Sequence, residues 1–175
     1  MLFRSFTRAW LDDLDQADGF IFREKSPSCG LRKTKRFQGL TDAEPIGLGA
    51  GLFAEAAVAR HFLKPAAEAG DLEGALDREH FLVRLFASAA VGQARRAQSL
   101  EALGKAYDRY RPLVESVWPA RAEELDRILA PRDWTAFDRV ADAFEEGLLG
   151  ALKRWRPRSP APAEWHLYPD ALRDA

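Results

Sequence analysis

One cysteine occurs in the chain, Cys29, set in Ser26-Pro27-Ser28-Cys29-Gly30 with hydroxyls one and three residues before it. As a thiolate this group is a nucleophile and a soft metal ligand, and nearby positive charge favours that form. Lys25 and Arg32 are the nearest cations in sequence. Pro27 fixes its own φ and biases Ser26 toward an extended backbone, while Gly30 allows a positive φ or a close approach by another group. The competing reading is an ordinary strand-to-loop connection carrying an inert thiol, since single cysteines are often simply buried.

Other residue types with chemical potential are less specific. Arg32, Lys33, Lys35 and Arg36 place four cations in five residues. Such a run reads as a solvated edge, with an anion, phosphate or RNA contact as the alternative. Gly47, Gly49 and Gly51 precede an Ala-rich helical stretch whose start could present N–H groups to an anion. No acidic residue follows at the end of a next clear strand, so this is no dinucleotide fingerprint, and glycines that permit close helix packing explain it better. His61 falls near that helix's C-terminus, where a cation complements the dipole. It has no histidine, cysteine or carboxylate partner at ligand spacing. His80 is expected to be a partly buried helix residue.

Several elements must position these groups. Phe3, Phe6, Trp10 and Leu14 recur with the spacing of an amphipathic helix that ends before Gly19. Gly19–Arg23 reads as a short buried strand that delivers the Cys29 loop at its end, where α/β sheets usually present their chemistry. Thr34–Phe37 has weaker strand character. Thr41–Pro45 reads as a polar turn, and the helix carrying Leu52, Phe53, Ala57 and Phe62 follows it. Leu63–Ala67 is the next candidate strand and would close a βαβ-like unit, so two or three short strands are expected in all. Glu68–Asp71 then closes the first part, giving a division into residues 1–70 and 71–175.

The second part reads as helical. A helix over Asp77–Gln98, with Asp77 as its N-cap, shows the rows Phe81-Leu85-Ala89 and Leu82-Phe86-Ala90. Ser99 is placed to cap the next helix, with the stripe Leu100, Leu103, Tyr107, Tyr110, Val114 and Val117. Pro112 predicts a kink or break near Arg111. Leu125, Ile128 and Leu129 mark a short helix ending before Pro131. Asp133 opens a longer one with Trp134, Phe137, Val140, Phe144, Leu148, Leu152 and Trp155 on one side, a pattern of core packing. Lys153–Pro162 is a basic, proline-rich extended stretch, and Trp165–Leu172 is apolar enough to dock back on the helices.

Three motifs in order, "DGFIFREKSPSCGL" (Asp18–Leu31), "GLGAGLFAEA" (Gly47–Ala56) and "DLEGALDREHFLVRLFA" (Asp71–Ala87), resemble the thiouracil desulfidase family, in its two-domain form with a YbgA-type helical domain. The resemblance covers roughly Asp12 to Ala87. It implies an α/β region that helps hold a [4Fe-4S] cluster through three cysteine thiolates, one iron being left free to take sulfur from a thiolated nucleobase. Cys29 matches the third cluster cysteine, the one metal ligand the resemblance assigns here. Ser26, Ser28, Cys29 and Gly30 match the cofactor-binding loop. The family's two earlier cysteines, in CLLG-like and CPE-like motifs, have no counterpart in this sequence, which begins downstream of both. The FH-x-x-HK-like centre of YbgA-type domains is also missing, while the ending faintly resembles L-x-P-Y-P-x-x-L.

The resemblance therefore implies a truncated or degenerate desulfidase relative, inactive alone. A non-catalytic protein- or RNA-binding module and an enzyme completed by cysteines from an upstream segment or partner chain are the alternatives. The implied fold class is an α/β remnant followed by a mostly helical domain. A homodimer or partner chain joined at an exposed sheet edge is expected, with a thiolated nucleobase as ligand only in a complete protein.

Composition bounds these readings. With 175 residues, 47% of them hydrophobic, the chain can bury a real core, and its formal net charge of -1 supplies no overall drive toward nucleic acid or membrane. A lone cysteine excludes an internal disulfide. No stretch approaches the roughly 18 apolar residues of a membrane span, and Met1–Trp10 lacks a signal-type apolar core. A cytoplasmic location is the expectation.

Overall fold

A computed structural model describes residues 14–37, 44–130 and 136–158. The Phe3–Trp10 stripe, positions 41–43 of the polar turn, Asp133, Trp134 and Trp165–Leu172 lie outside the described residues. The chain divides into two compact units, Met1–Gly74 and Ala75–Ala175. It is helix-dominated, with a small α/β part at the front.

In the first unit, β1 (Phe20–Phe22) lies parallel to β4 (Ala66–Glu68), pairing Phe20 with Ala66 and Phe22 with Glu68. Helix α1 (Leu52–Arg60) stands between them in sequence, so the expected β-α-β order is present. Strand alternation sets the faces. Phe20 and Phe22 point inward, stacked at 5.9 Å, against Ala54 and Ala57 of α1, whereas Ile21 is 61% exposed.

The strand expected over Leu63–Ala67 begins three residues later, at Ala66. Residues 61–64 form a turn, with the Lys64 N–H on the His61 carbonyl, and the ladder starts where the Phe20 N–H meets the Pro65 carbonyl at 2.9 Å. The same turn ends α1 before Phe62, which is 61% exposed and not part of the helix's apolar face.

A second sheet pairs β2 (Thr34–Phe37) antiparallel with β3 (Pro45–Gly49), so the unit has four strands among the described residues. β3 falls in a stretch expected to be turn and loop. Its glycines carry no strand propensity of their own, and the pairing of Thr34 with Gly49 and Lys35 with Leu48 supplies the order.

The second unit consists of α2 (Ala75–Arg96), α3 (Leu100–Val117), α4 (Pro119–Leu129) and α5 (Phe137–Leu152). α3 packs against α2, α4 and α5, and α5 packs against α2 and α4. α2 starts two residues before Asp77, which lies in its first turn and complements the helix dipole there without capping it. The deepest stripe of α2 is Val83, Ala87, Val91 and Ala94, and Leu82, Leu85 and Phe86 are only half-buried. Small side chains on the seam let helix axes approach, and the larger ones flank it.

Ser99 caps α3 as expected, its Oγ accepting the Ala102 N–H at 3.1 Å. The stripe Leu103, Tyr107, Tyr110 and Val114 is buried, with the Tyr107 hydroxyl donating to the Ala122 carbonyl at 2.8 Å. α3 runs through Pro112 without a break. Pro112 and Asp108, whose carbonyl the ring deprives of a donor, are both on the exposed face, where water replaces the lost bond. Pro119 opens α4 at its first turn, where a missing N–H costs nothing. Phe144, Leu148 and Leu152 of α5 are fully buried, and Trp155 is buried just past the helix end. Arg121 and Arg154 lie over the Trp118 ring at 4.3 and 3.8 Å.

His80 is half-buried on α2. Its Nε2 lies 3.2 Å from the Leu152 carbonyl and 3.0 Å from Arg156 Nη1. One neutral tautomer donates to the carbonyl and the other accepts from the guanidinium, whereas an imidazolium would face that cation. Burial first, then the charges of Arg156 and Arg84, hold the group down to about 4, with Asp77 opposing weakly.

Two outcomes are expected of the helical unit. Ser99→Ala removes a cap and lowers stability by about 1 kcal/mol in urea unfolding. Between pH 6.5 and about 4 the unfolded chain protonates His80 and the folded chain does not. The contribution of His80 is thus fully present above pH 6.5 and is lost progressively as pH falls toward 4. His80→Gln should flatten that part of the melting-temperature profile relative to the parent protein.

Candidate functional site

The Cys29 loop begins one residue past β1. Arg23 leaves the strand, Lys25 takes a left-handed conformation at φ 55°, and Ser26 starts the turn that carries Cys29. Ser26 holds this turn together. Its carbonyl accepts the Gly30 N–H at 2.9 Å and the Thr34 hydroxyl at 3.2 Å, while its Oγ accepts the Cys29 N–H at 3.2 Å. The side chains then form a chain of polar contacts: Ser26 Oγ to Ser28 Oγ at 3.3 Å, and Ser28 Oγ to Cys29 Sγ at 3.3 Å. Cys29 is half-buried and packs against the Phe20–Phe22–Ala54–Ala57 core. Ser26, Ser28, Cys29 and Gly30 therefore do sit together on one short loop.

Two further elements clamp the loop. The N-terminus of α1 meets it from one side, with the Phe53 and Ala54 N–H groups on the Ser28 carbonyl at 3.0 and 3.1 Å and the Gly51 N–H on the Gly30 carbonyl at 2.7 Å. These donors are occupied by the chain's own carbonyls and not held open for an anion. Gly51 is required by proximity, since a Cβ there would lie 2.4 Å from the Ser28 carbonyl carbon. Likewise a Cβ on Gly30 would meet Thr34 Oγ1 at 2.2 Å.

From the other side Glu68 of β4 reaches across. Its Oε1 accepts the Leu31 N–H at 2.9 Å and the Arg32 N–H at 3.2 Å, and its Oε2 accepts from the Arg32 guanidinium at 3.3 Å. Arg32 also pairs with Asp71, whose carboxylate accepts the Glu68 N–H at 2.9 Å. The hydrogen bond to Asp71 is the main reason that the Arg32 guanidinium is held above its ordinary value.

This assignment changes the reading of the basic run. Arg32 is committed to Glu68 and Asp71 and is not directed at the Cys29 thiol, while Arg36 pairs with Glu55 at 2.8 Å and donates to the Ala50 carbonyl. Lys33 and Lys35 stay exposed. The Glu68–Asp71–Arg32 network was not anticipated as part of the site. The signal available was the spacing of Glu68 and Asp71, which matches a reciprocal cap on the short 3-10 turn Ala69–Leu72.

His61 caps the end of α1 and lies 3.5 Å from Asp15, beside Phe20. Burial, followed by the charge of Lys64, lowers its pKa against the pull of Asp15, which opposes the cationic dipole role expected from its position.

Iron–sulfur clusters of the implied type need three thiolates. Cys29 is the only cysteine of the sequence, and among the described residues no three histidine, cysteine or carboxylate groups are placed to share a metal ion. Serine hydroxyls are hard donors that do not replace thiolates on soft iron. The residues present therefore do not fit a [4Fe-4S] cluster held by this chain alone. No helix among the described residues is long and apolar enough to cross a membrane. Comparison with known proteins finds no matching family model, no matching curated protein and no matching solved structure.

The clamp predicts a coupled effect of Gly51→Ala. Overpacking against Ser28 should destabilise the first unit by about 1–3 kcal/mol and release the loop. Faster labelling of Cys29 by a disulfide reagent, together with a lower urea midpoint, is the expected result.

Proposed function

We propose that this chain is a degenerate relative of the thiouracil desulfidases. In this reading the loop that once presented a cluster ligand persists as a structural element, and the chain alone removes no sulfur. The observation that carries it is the isolation of Cys29. The loop around it is ordered by Ser26, Ser28, Glu68 and the start of α1, yet the thiol meets a serine hydroxyl at 3.3 Å and has no second thiolate to share a metal with. A loop so heavily constrained around one thiol fits ancestry in a cluster site better than a casual surface connection. A cubane cluster with a single protein thiolate dissociates into solution, so a resident [4Fe-4S] group is not part of the proposal for the isolated chain.

A second reading has its own support. β1 and β4 form a sheet of two strands among the described residues, and each outer edge pairs with no described strand. Ile21 of β1 is 61% exposed. So small a parallel sheet gains stability from added strands. A segment or partner chain that supplied them, and with them two thiolates, would make Cys29 the third ligand of a shared cluster able to act on a thiolated nucleobase.

Anaerobic reconstitution of the purified chain with iron and sulfide separates the two. The expected outcome is no stoichiometric iron–sulfur absorbance, the same result for Cys29→Ala, and no sulfide released from 2-thiouracil. Cluster incorporation that Cys29→Ala abolishes would replace the first reading with the second. Light scattering across a concentration series then tells whether three or more copies assemble around the cluster, since a second copy adds only one thiolate.

A further inference from the structure

α5 ends at Leu152, and the chain that leaves it carries Lys153, Arg154, Arg156 and Arg158. Past the turn at Lys153 and Arg154 no further helix forms, because Pro157 lacks an N–H and biases Arg156 toward an extended backbone. Burial then alternates residue by residue. Trp155 and Pro157 are buried, which ties the segment down, while Arg154, Arg156 and Arg158 are all exposed.

These charges are not neutralised locally. Among the described residues no carboxylate pairs with Lys153, Arg154, Arg156 or Arg158. The C-terminal end of a helix such as α5 carries roughly half a negative charge, which offsets a fraction of one of the four. Arg154 lies over the Trp118 ring at 3.8 Å, and a guanidinium held by a ring face keeps its N–H edge for acceptors. Arg121 lies over the same ring at 4.3 Å but is paired with Glu124 at 2.9 Å, so it adds little charge. Arg156 donates from Nη1 to the Lys153 and Trp155 carbonyls at 2.8 and 2.7 Å. Those neutral acceptors fix the side chain and leave its charge uncompensated.

We propose that Arg154, Arg156 and Arg158, with Lys153, form a docking strip for the phosphate backbone of a single-stranded nucleic acid. Two residues of extended chain span about 6.5–7 Å, the scale of the step between phosphates in an unstacked strand. A nucleic acid carries its charge at every such step, whereas an acidic peptide meets the register only with an acid at every second residue. Arginine forks also suit phosphate oxygens. No exposed large apolar side chain lies between Lys153 and Arg158, so the strip lacks the contacts with which a peripheral segment enters a membrane. Trp118 lies under two guanidiniums and Trp155 is buried, so neither ring is presented for base stacking. The strip therefore reads backbone charge and not sequence. It is separate from the Cys29 loop and does not rest on the proposed ancestry.

Fluorescence anisotropy of the full chain with a labelled RNA of about 12 nucleotides tests the assignment, with polyglutamate as the peptide probe. Saturable binding near the micromolar range is expected at about 50 mM salt, weakening with salt at a log–log slope of about −3 for four neutralised phosphates. A DNA strand of the same sequence should bind equally, since a backbone contact does not read the 2′-hydroxyl. Arg154→Gln combined with Arg158→Gln should weaken binding about tenfold or more and flatten the slope by roughly 1.4. Arg158→Gln alone, at an exposed position, should flatten it by about 0.7 and decides the matter if the double variant melts early. Lys33→Gln with Lys35→Gln, which removes exposed cations of the first unit, should leave affinity unchanged. Absence of saturable binding, rejection of DNA, equal affinity for polyglutamate, or a slope unchanged in Arg158→Gln would overturn the proposal, as would a larger loss in the lysine variant.

Discussion

The carboxylate of Glu68 joins β4 to the segment that follows the Cys29 loop. It stands at the last position of β4, its side chain 10% exposed, and it accepts from two backbone N–H groups and one guanidinium that follow Cys29 by two and three residues in the chain. Those donors belong to a segment 36 and 37 residues away. Pairing of β1 with β4 brings the carboxylate within reach, and the carboxylate then fixes where the chain goes after the Cys29 loop. Buried N–H groups without acceptors are costly, so this one side chain couples sheet pairing to loop geometry. Asp71 extends the coupling by holding Arg32 and the Glu68 N–H together.

The α1 start completes the same construction from the opposite side. Helix N-termini carry orphan N–H groups that need acceptors. Here the Ser28 and Gly30 carbonyls provide them, and the absence of a Cβ at Gly51 permits the approach. The loop is therefore held by backbone bonds from α1, by the Glu68 carboxylate, and by its own Ser26 and Ser28 hydroxyls. The geometry of such a loop serves the packing of β1, α1 and β4. Its order therefore does not depend on a partner for the thiol.

The helical unit is assembled on a different basis. Its seams are apolar, with Val83, Ala87 and Val91 on α2 and Leu148 and Leu152 on α5 fully or almost fully buried. Ion pairs such as Arg95 with Asp142 and Arg111 with Asp126 tie neighbouring helices at the surface. Against that background Arg84 and Glu79 of α2 are buried, each with one polar side-chain atom that has no hydrogen-bond partner.

Local chemistry determined much of this protein. The stripe Leu103, Tyr107, Tyr110 and Val114, the Ser99 cap and the proximity of Ser26, Ser28 and Cys29 all follow from side-chain period, capping or chain neighbourhood. Those effects act over a few residues and are legible without a fold. Tertiary structure decided the rest. β3 is ordered by its partner β2 and not by its own glycine-rich composition. The face of α2 that is buried is the one where small residues admit a neighbouring helix, and that depends on the neighbour. Pro112 stays inside α3 because its side of the helix faces water. Glu68 and Arg32 became part of the Cys29 loop only once β1 and β4 had paired, since an interaction across more than thirty residues has no signature in local spacing.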